Sequence, residues 1–407
     1  MTQALPASGT VHWLGTGLST GSGLRLLVER APRVLMWGRT TDRAERCLER
    51  VGAGGRADTR AYDLAAAGAE LRPGDVLVSM LPAAEHPALA RLCVERGAHF
   101  ACSSYVSEAV QELAPAAEPA GVVLLTEAGL DPGIDHLFAD LLVARARAAI
   151  GDGPATAEFT SYCGGLPAEP NEFRYRFSWA PRGVLSALRA PARYIDRGET
   201  AVAQRPWEAT RPLVLDGETF EAYPNRDSIP YLAQYELPSS WRPWTFVRGT
   251  LRLAGWLAAW AEVFAELRRG DDGRIAALAD ELAARYPTTE DDRDRVVLSV
   301  ALSVRADGGG GGGGGGAGWS GSYLLDLVGD ATESAMARCV SLPLAFGVTE
   351  ILAGRVPAGL RQAAGGRSDG GRSGGIGGGS GGDGSRAGDA ERWLAFLAEN
   401  GVGHRVT

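Results

Sequence analysis

The chain has 407 residues, 45% of them hydrophobic and 22% charged, with a formal net charge of −8. These values describe a globular protein of two or three domains and argue against a general affinity for nucleic acid or for an anionic membrane. No window approaches the roughly 20 uncharged apolar residues that span a bilayer.

The opening "MTQALPASGTVHWLG" has neither a basic n-region nor a long apolar core, so no secretory leader is expected. Residues 11–17, "VHWLGTG", read as a short buried strand that breaks into glycines, and "LSTGSGLRLLVERA" has helical spacing. "RVLMWGRT", "DVLVSMLP" (75–82), "AHFACSSY" (98–105) and "GVVLLTEAG" (121–129) read as further strands, with "PALARLCVERG" and "SEAVQELAPAA" as helices between them. Strands alternating with helices predict a doubly wound parallel sheet over about the first 135 residues. The pattern then changes. Residues 156–180 alternate like strands and are rich in aromatics, and 249–286 read as helical. "RDRVVLSVALSVRA" and "WSGSYLLDLV" are two alternating runs joined by the nine glycines 308–316, which predicts a β-hairpin with a disordered tip. A long helix is expected over 331–354 with a kink or break at Pro343, then a polar Gly-rich tract at 365–388 that cannot fold alone, then the helix "DAERWLAFLAEN".

The five cysteines, Cys47, Cys93, Cys102, Cys163 and Cys339, are scattered and odd in number, without C-x-x-C. They predict free thiols, a reducing compartment and a cytoplasmic location. There is no lysine; all 41 cationic side chains are arginine. That excludes Schiff-base catalysis by an internal lysine and a P-loop lysine. Anions must be held by arginine forks and backbone N–H groups.

Gly15-Thr-Gly-Leu-Ser-Thr-Gly21 lies between a strand and a helix. Gly15 permits a tight turn and Gly17 lets the backbone approach a pyrophosphate, with Leu18, Ser19 and Thr20 completing the turn. The third fingerprint position is Thr20, with Gly21 beside it, so the pattern is imperfect. The second strand ends "Met36-Trp-Gly-Arg-Thr40", with no acid for a ribose 2′-OH. Arg39 and Thr40 suit a 2′-phosphate, which favours NADP over NAD; the alternative is that Arg39 is a solvated loop residue. Ser79, Leu81 and Pro82 fall at a strand end where such sheets bind ligands, and Asp63 is a weaker candidate for the adenosine side.

"CSSY" (102–105) ends a strand at the same edge, and "SYCGGLP" (161–167) sets Cys163 before two glycines. "YPNRDS" (223–228) and "VRGTLR" (247–252) carry Arg226, Arg248 and Arg252. Singly each arginine reads as surface; together they suit a ligand with several carboxylates. In "TEAGLDPGIDH" (126–136), a metal site is disfavoured because His136 has no suitably spaced Cys or His partner. Asp135 and His136 fall in the first turn of a helix and read as structural, with His136 an alternative pocket-wall residue. Asp131 sits on the turn itself, as cap or catalyst.

"GLDPGIDHL", "SYCGGLPA", "FSWAPRGVL", "YPNRDS" and "RGTLR", in this order, resemble the saccharopine reductase family, the glutamate-forming saccharopine dehydrogenases. The likeness runs from the glycine turn to "ESAMARCVSLPLA" (333–345). It implies an NADP-binding Rossmann-type domain (8–135) and a mixed α/β catalytic domain (136–330) with a helical insertion at about 253–290 and a hairpin at 292–328. A C-terminal segment (331–407) would return to the first domain, and the substrate would lie between the first two. It implies reversible condensation of 2-aminoadipate 6-semialdehyde with glutamate to saccharopine, in lysine metabolism, with NADP as cofactor and no metal. By motif, Ser104, Tyr105, Asp131, Cys163, Arg226, Arg248 and Thr250 would line the substrate site, with Arg252 less firmly placed. Asp131, Tyr105 and Cys163 are the candidates for proton transfer; Cys163 reads equally as a small buried residue. The expected partner is a small-molecule substrate, with a homodimer left open. Two other readings remain: reductive amination of a different amine and aldehyde, and a non-catalytic NADP-binding regulatory protein. The two glycine tracts depart from the family pattern outside the pocket motifs.

Overall fold

The structure, a computed structural model, describes residues 2–178, 181–287, 289, 292–307, 317–363 and 383–407. The chain forms two compact units, Met1–Leu137 with Ala337–Val402 and Phe138–Met336 with Gly403–Thr407.

The first unit is built on a seven-stranded parallel sheet. Its strands are β1 (Thr10–Leu14), β2 (Arg33–Gly38), β3 (Asp58–Ala61), β4 (Val76–Ser79), β5 (His99–Cys102), β6 (Val123–Leu125) and a late strand, Gly359–Arg361. Their spatial order is (359–361)-β6-β5-β4-β1-β2-β3. This is a Rossmann-type α/β arrangement, with the order reversing between β1 and β4. Every residue of β4 and β5 is buried, as expected for strands covered on both faces. The chain returns to this sheet when Leu360 pairs with Leu124. Helix Ala335–Leu352 precedes that return.

The second unit holds a mixed sheet of β7 (Ala155–Pro167), β8 (Ala192–Asp196), β9 (Glu199–Ala203), β10 (Arg211–Leu215), β11 (Glu218–Pro224), β12 (Trp241–Leu253), β13 (Asp294–Ala306), β14 (Gly318–Val328) and the short strand Arg405–Val406. Its main path runs β10-β11-β12-β7-β13-β14-(405–406), and β8 and β9 join at β12. Leu166, Phe220, Ala222, Leu251, Leu253, Val297 and Leu324 form an apolar cluster. A separate aromatic cluster gathers Phe173, Tyr175, Trp256, Trp260 and Phe264 around helices Pro181–Arg189, Ala261–Arg269 and Asp272–Arg285.

Several expectations change. Residues 249–253 are strand, not helix, because β12 runs to Leu253 and the first helix of the insertion starts at Trp256. The alternation at Phe173, Tyr175 and Phe177 buries rings in the aromatic cluster without strand pairing. "SEAVQELAPAA" forms two short helices, Glu108–Gln111 and Ala114–Ala117, the second with a proline in its first turn. Helix Ala335–Leu352 continues through Pro343 without a break. That helix is also long and apolar enough to cross a membrane by length and composition, contrary to the reading of the sequence; 78% of it is buried within the protein, as a core helix would be. The hairpin pairs Arg305 with Gly318, while its glycine tip at 308–316 lies outside the described residues. Residues 364–382 of the later tract also lie outside them, but helix Asp383–Glu399 begins within the span expected to be unstructured.

Candidate active site residues

The glycine turn follows β1. Gly15 has φ +116°, and a Cβ there would lie 2.9 Å from the Met80 carbonyl. The turn is thus wedged against the end of β4, which only glycine permits. Gly17 faces open space, Leu18 is exposed and Ser19 half-buried. Thr20 turns inward: its hydroxyl donates to the Gly15 carbonyl at 3.0 Å and its N–H to the Gly17 carbonyl at 3.1 Å. Thr20 therefore stiffens the turn from inside. The close-packing role of the third fingerprint glycine belongs to Gly23, where a Cβ would lie 2.0 Å from the Ser341 carbonyl oxygen. Arg50, which sequence reasoning passed over, donates to the Thr16 and Gly17 carbonyls at 3.3 Å each.

At the end of β2, Arg39 is exposed and has no ion-pair partner among the described residues. Thr40 caps helix Thr41–Arg50, its hydroxyl accepting from the Arg43 N–H at 3.3 Å. A capping hydroxyl keeps its own donor for a second partner. Asp63 is committed differently from its expected contact: it caps helix Leu64–Glu70, accepting from the Ala65 and Ala66 N–H groups. Ser79 is buried and accepts from the Leu81 N–H at 3.4 Å, whereas Pro82 is exposed. His86 Nε2 lies 3.1 Å from the Leu81 carbonyl. Burial holds His86 below its ordinary value, so the neutral ring donates and fixes the 80–82 segment at the sheet edge. An open glycine turn at a helix start, with an exposed arginine at the end of β2, fits a dinucleotide that carries an extra phosphate.

The same unit brings Tyr105 and Asp131 together. The Tyr105 hydroxyl donates to Asp131 Oδ1 at 2.7 Å. Tyr105 follows β5, and Asp131 lies on the 129–133 turn after β6, closed by bridges of Gly129 and Leu130 to Gly133. Both are therefore at the carboxyl edge of the sheet, where ligands bind in this architecture. Ser104 is half-buried, and its carbonyl accepts from the Glu127 N–H at 3.1 Å. His136 is buried and bonded to Glu127 at 2.9 Å, within a polar cluster.

The remaining candidates are in the second unit. Arg248, Thr250 and Arg252 alternate along β12 and so share a face. Register sets Cys163 of β7 and Tyr223 of β11 beside Thr250. Cys163 is half-buried. The Arg248 guanidinium stacks over Tyr231 at 3.9 Å from the ring centroid. The turn after β11 is stitched to the same strand: the Asn225 N–H donates to the Arg248 carbonyl, and the Arg248 N–H to the Ser228 hydroxyl, each at 2.9 Å. This brings Arg226, exposed at φ +59°, to the segment that carries Arg248. Arg252 is different. Its guanidinium lies over Tyr175, Tyr223 and Trp256 at 4.9 to 5.6 Å and donates to the Leu251 carbonyl. Three rings around it make it a pin between sheet and aromatic cluster.

Comparison with known proteins agrees with this division. Residues 11–125 match the family described as the saccharopine dehydrogenase NADP binding domain, and residues 129–364 the saccharopine dehydrogenase C-terminal domain. Saccharopine dehydrogenase [NADP(+), L-glutamate-forming] of Pyricularia oryzae is 38% identical over 255 residues, 61% of this chain and 55% of that protein. The mitochondrial alpha-aminoadipic semialdehyde synthase of Bos taurus is 37% identical over 192 residues, 46% of this chain and 20% of that one. The aligned part thus spans about half or less of those relatives' lengths. The apo saccharopine dehydrogenase (L-Glu forming) of Saccharomyces cerevisiae has the same fold, with a TM-score of 0.76 at 24% identity, covering 98% of this chain and 99% of that one. With both halves matched, across the glycine turn and the β7 and β12 motifs alike, the chain belongs to the saccharopine dehydrogenase family.

Proposed function

We propose that this protein is an NADP-dependent oxidoreductase that reversibly condenses 2-aminoadipate 6-semialdehyde with glutamate to form saccharopine. The relatives' printed names support the substrates. The observation that carries the chemistry is the Tyr105–Asp131 hydrogen bond at the sheet's carboxyl edge. An aldehyde and an amine first add to a carbinolamine, which must gain a proton on its hydroxyl to leave as water. A phenol bonded to a carboxylate can pass that proton in either direction. NADPH, when bound, supplies the hydride that reduces the resulting C=N bond.

The chain's own residues do the rest. Gly15, Gly17 and the start of helix Ser22–Arg30 would hold the pyrophosphate, Arg39 and Thr40 the 2′-phosphate. Saccharopine carries three carboxylates, and Arg226 and Arg248 offer forks of the right geometry. Thr250 and Cys163, neighbours in register, present a hydroxyl and a thiol on the same face as Arg248. Binding the carboxylates orients the reacting carbon, and orientation is itself a large share of such catalysis.

The experiment is NADPH oxidation with aminoadipate semialdehyde and a panel of amines. Glutamate should be the preferred amine by a wide margin. Turnover with another amine but none with glutamate would replace this reading with a different reductive amination.

A further inference from the structure

Adjoining the Tyr105–Asp131 pair is a buried polar cluster that the proposed reaction does not consume. Its centre is Glu127, 1% exposed and at φ +54°, a backbone conformation that a residue with a Cβ adopts at a cost. Glu127 Oε1 accepts from the Val106 N–H at 3.0 Å. Its Oε2 lies 2.9 Å from His136 Nε2 and accepts from the Gln362 side-chain amide at 2.8 Å. The Glu127 N–H donates to the Ser104 carbonyl. His136 Nδ1 lies 3.4 Å from Asp135 Oδ2, and Asp135 Oδ1 accepts from the Gly133 N–H at 2.7 Å.

One residue is therefore bonded to the chain on both sides of Tyr105. Through the 3.4 Å approach of His136 to Asp135, it is also linked to Gly133, two positions beyond Asp131. Gln362 adds an anchor from the returning segment beside the strand Gly359–Arg361. A buried carboxylate is expensive unless its oxygens are satisfied, and here they are satisfied by the segments that carry the hydroxyl and the carboxylate. We propose that Glu127 is a positioning residue: it sets the register between Tyr105 and Asp131, so that the phenol and the carboxylate stay within hydrogen-bond reach as substrates turn over. The proposal rests on the reading that this pair moves the proton.

Glu127→Gln keeps the shape and one acceptor, but it points an amide N–H₂ towards donors. The pair should loosen while the fold remains. Expected is a kcat lower by on the order of 10- to 100-fold, with saccharopine KM and NADPH Kd within about twofold of wild type. The loss should vanish when Asp131 is already asparagine, because a residue acting through Asp131 has nothing left to position. A crystal structure of Glu127→Gln should show the Tyr105–Asp131 bond lengthened past hydrogen-bond distance; this readout needs no turnover and separates failure of the proposal from failure of the assigned reaction. If Glu127→Gln does not fold, Gln362→Met removes one donor from the same oxygen and should give a smaller loss of the same kind. An equal loss of kcat in the wild-type and Asp131→Asn backgrounds, or an unchanged Tyr105–Asp131 bond, overturns the proposal.

Discussion

Gly23 and Ser341, 318 positions apart, are in direct backbone contact: the Gly23 N–H donates to the Ser341 hydroxyl at 3.0 Å, and a Cβ on Gly23 would sit 2.0 Å from the Ser341 carbonyl oxygen. Helix Ser22–Arg30 thus packs on helix Ala335–Leu352 at a point with no room for a methyl group. Gly23→Ala should destabilise the protein by about 3 kcal/mol, since the obstructing atoms are backbone and cannot rotate away. Ser341→Ala, which only removes a hydrogen bond, should cost about 1 kcal/mol. Urea midpoints of the two variants measure this; equal and small shifts would contradict the packing described.

That contact also shows what the sequence could and could not display. The parallel sheet is legible because β1, β4 and β5 are mostly apolar, nearly all buried, and punctuated by turns. The sequence shows the fingerprint's end only at Thr20 and Gly21, since the partner that requires Gly23 comes from residue 341. Residues 249–253 read as helix in the sequence because β12 runs almost directly into the helices of the insertion, and a short apolar run has no decisive period. Motifs single out Tyr105 and Asp131, and the fold joins them by a hydrogen bond. Nothing in the sequence singles out Glu127, because its partners Val106, His136 and Gln362 meet only in the fold. The structure shows Asp63 as a helix cap, a role that an acid before "LAAA" also suits.

Arg39 provides a test of cofactor choice. It is exposed and caps nothing, so Arg39→Ala should leave stability unchanged. NADPH affinity should fall by on the order of 10- to 100-fold, the value of a charge-assisted hydrogen bond, while NADH affinity stays the same. Calorimetric titration of both cofactors gives the answer. Parallel losses for NADPH and NADH would move the 2′-phosphate away from Arg39.

Arg226 and Arg248 should behave differently although the same carboxylate-binding role is proposed for both. Arg226 is exposed, so Arg226→Ala should raise the saccharopine KM at least about tenfold with NADPH affinity and melting temperature near wild type. Arg248 is 4% exposed and stacked on Tyr231, so Arg248→Ala should raise KM and also lower stability by about 2 kcal/mol. An Arg226→Ala enzyme with unchanged KM would remove that residue from the substrate set.

Acid sensitivity should begin with histidine. His99 is fully buried: Nδ1 accepts from the Val123 N–H at 3.1 Å, and Nε2 lies 3.1 Å from the Leu5 carbonyl. Burial holds both His99 and His86 below their ordinary value, and at His99 a second ring proton would face an N–H donor. The unfolded chain takes up protons near pH ~6.5, which the folded ring resists. Their contribution is therefore complete above that pH and is lost as pH falls below it. The urea midpoint should drop between about pH 7.5 and about pH 5.5, and His99→Gln should reduce the slope. A flat or rising midpoint over that interval would contradict the buried neutral ring.

The proposed reaction can be measured by adding saccharopine to the purified protein with NADP and with NAD in parallel. Saccharopine-dependent NADPH formation is expected, with glutamate released in equal amount. The rate with NAD should be much lower, and Asp131→Asn should slow the NADP reaction by on the order of 100-fold. No NADPH formation from saccharopine, under conditions where the protein binds NADP, would rule out the proposed reaction.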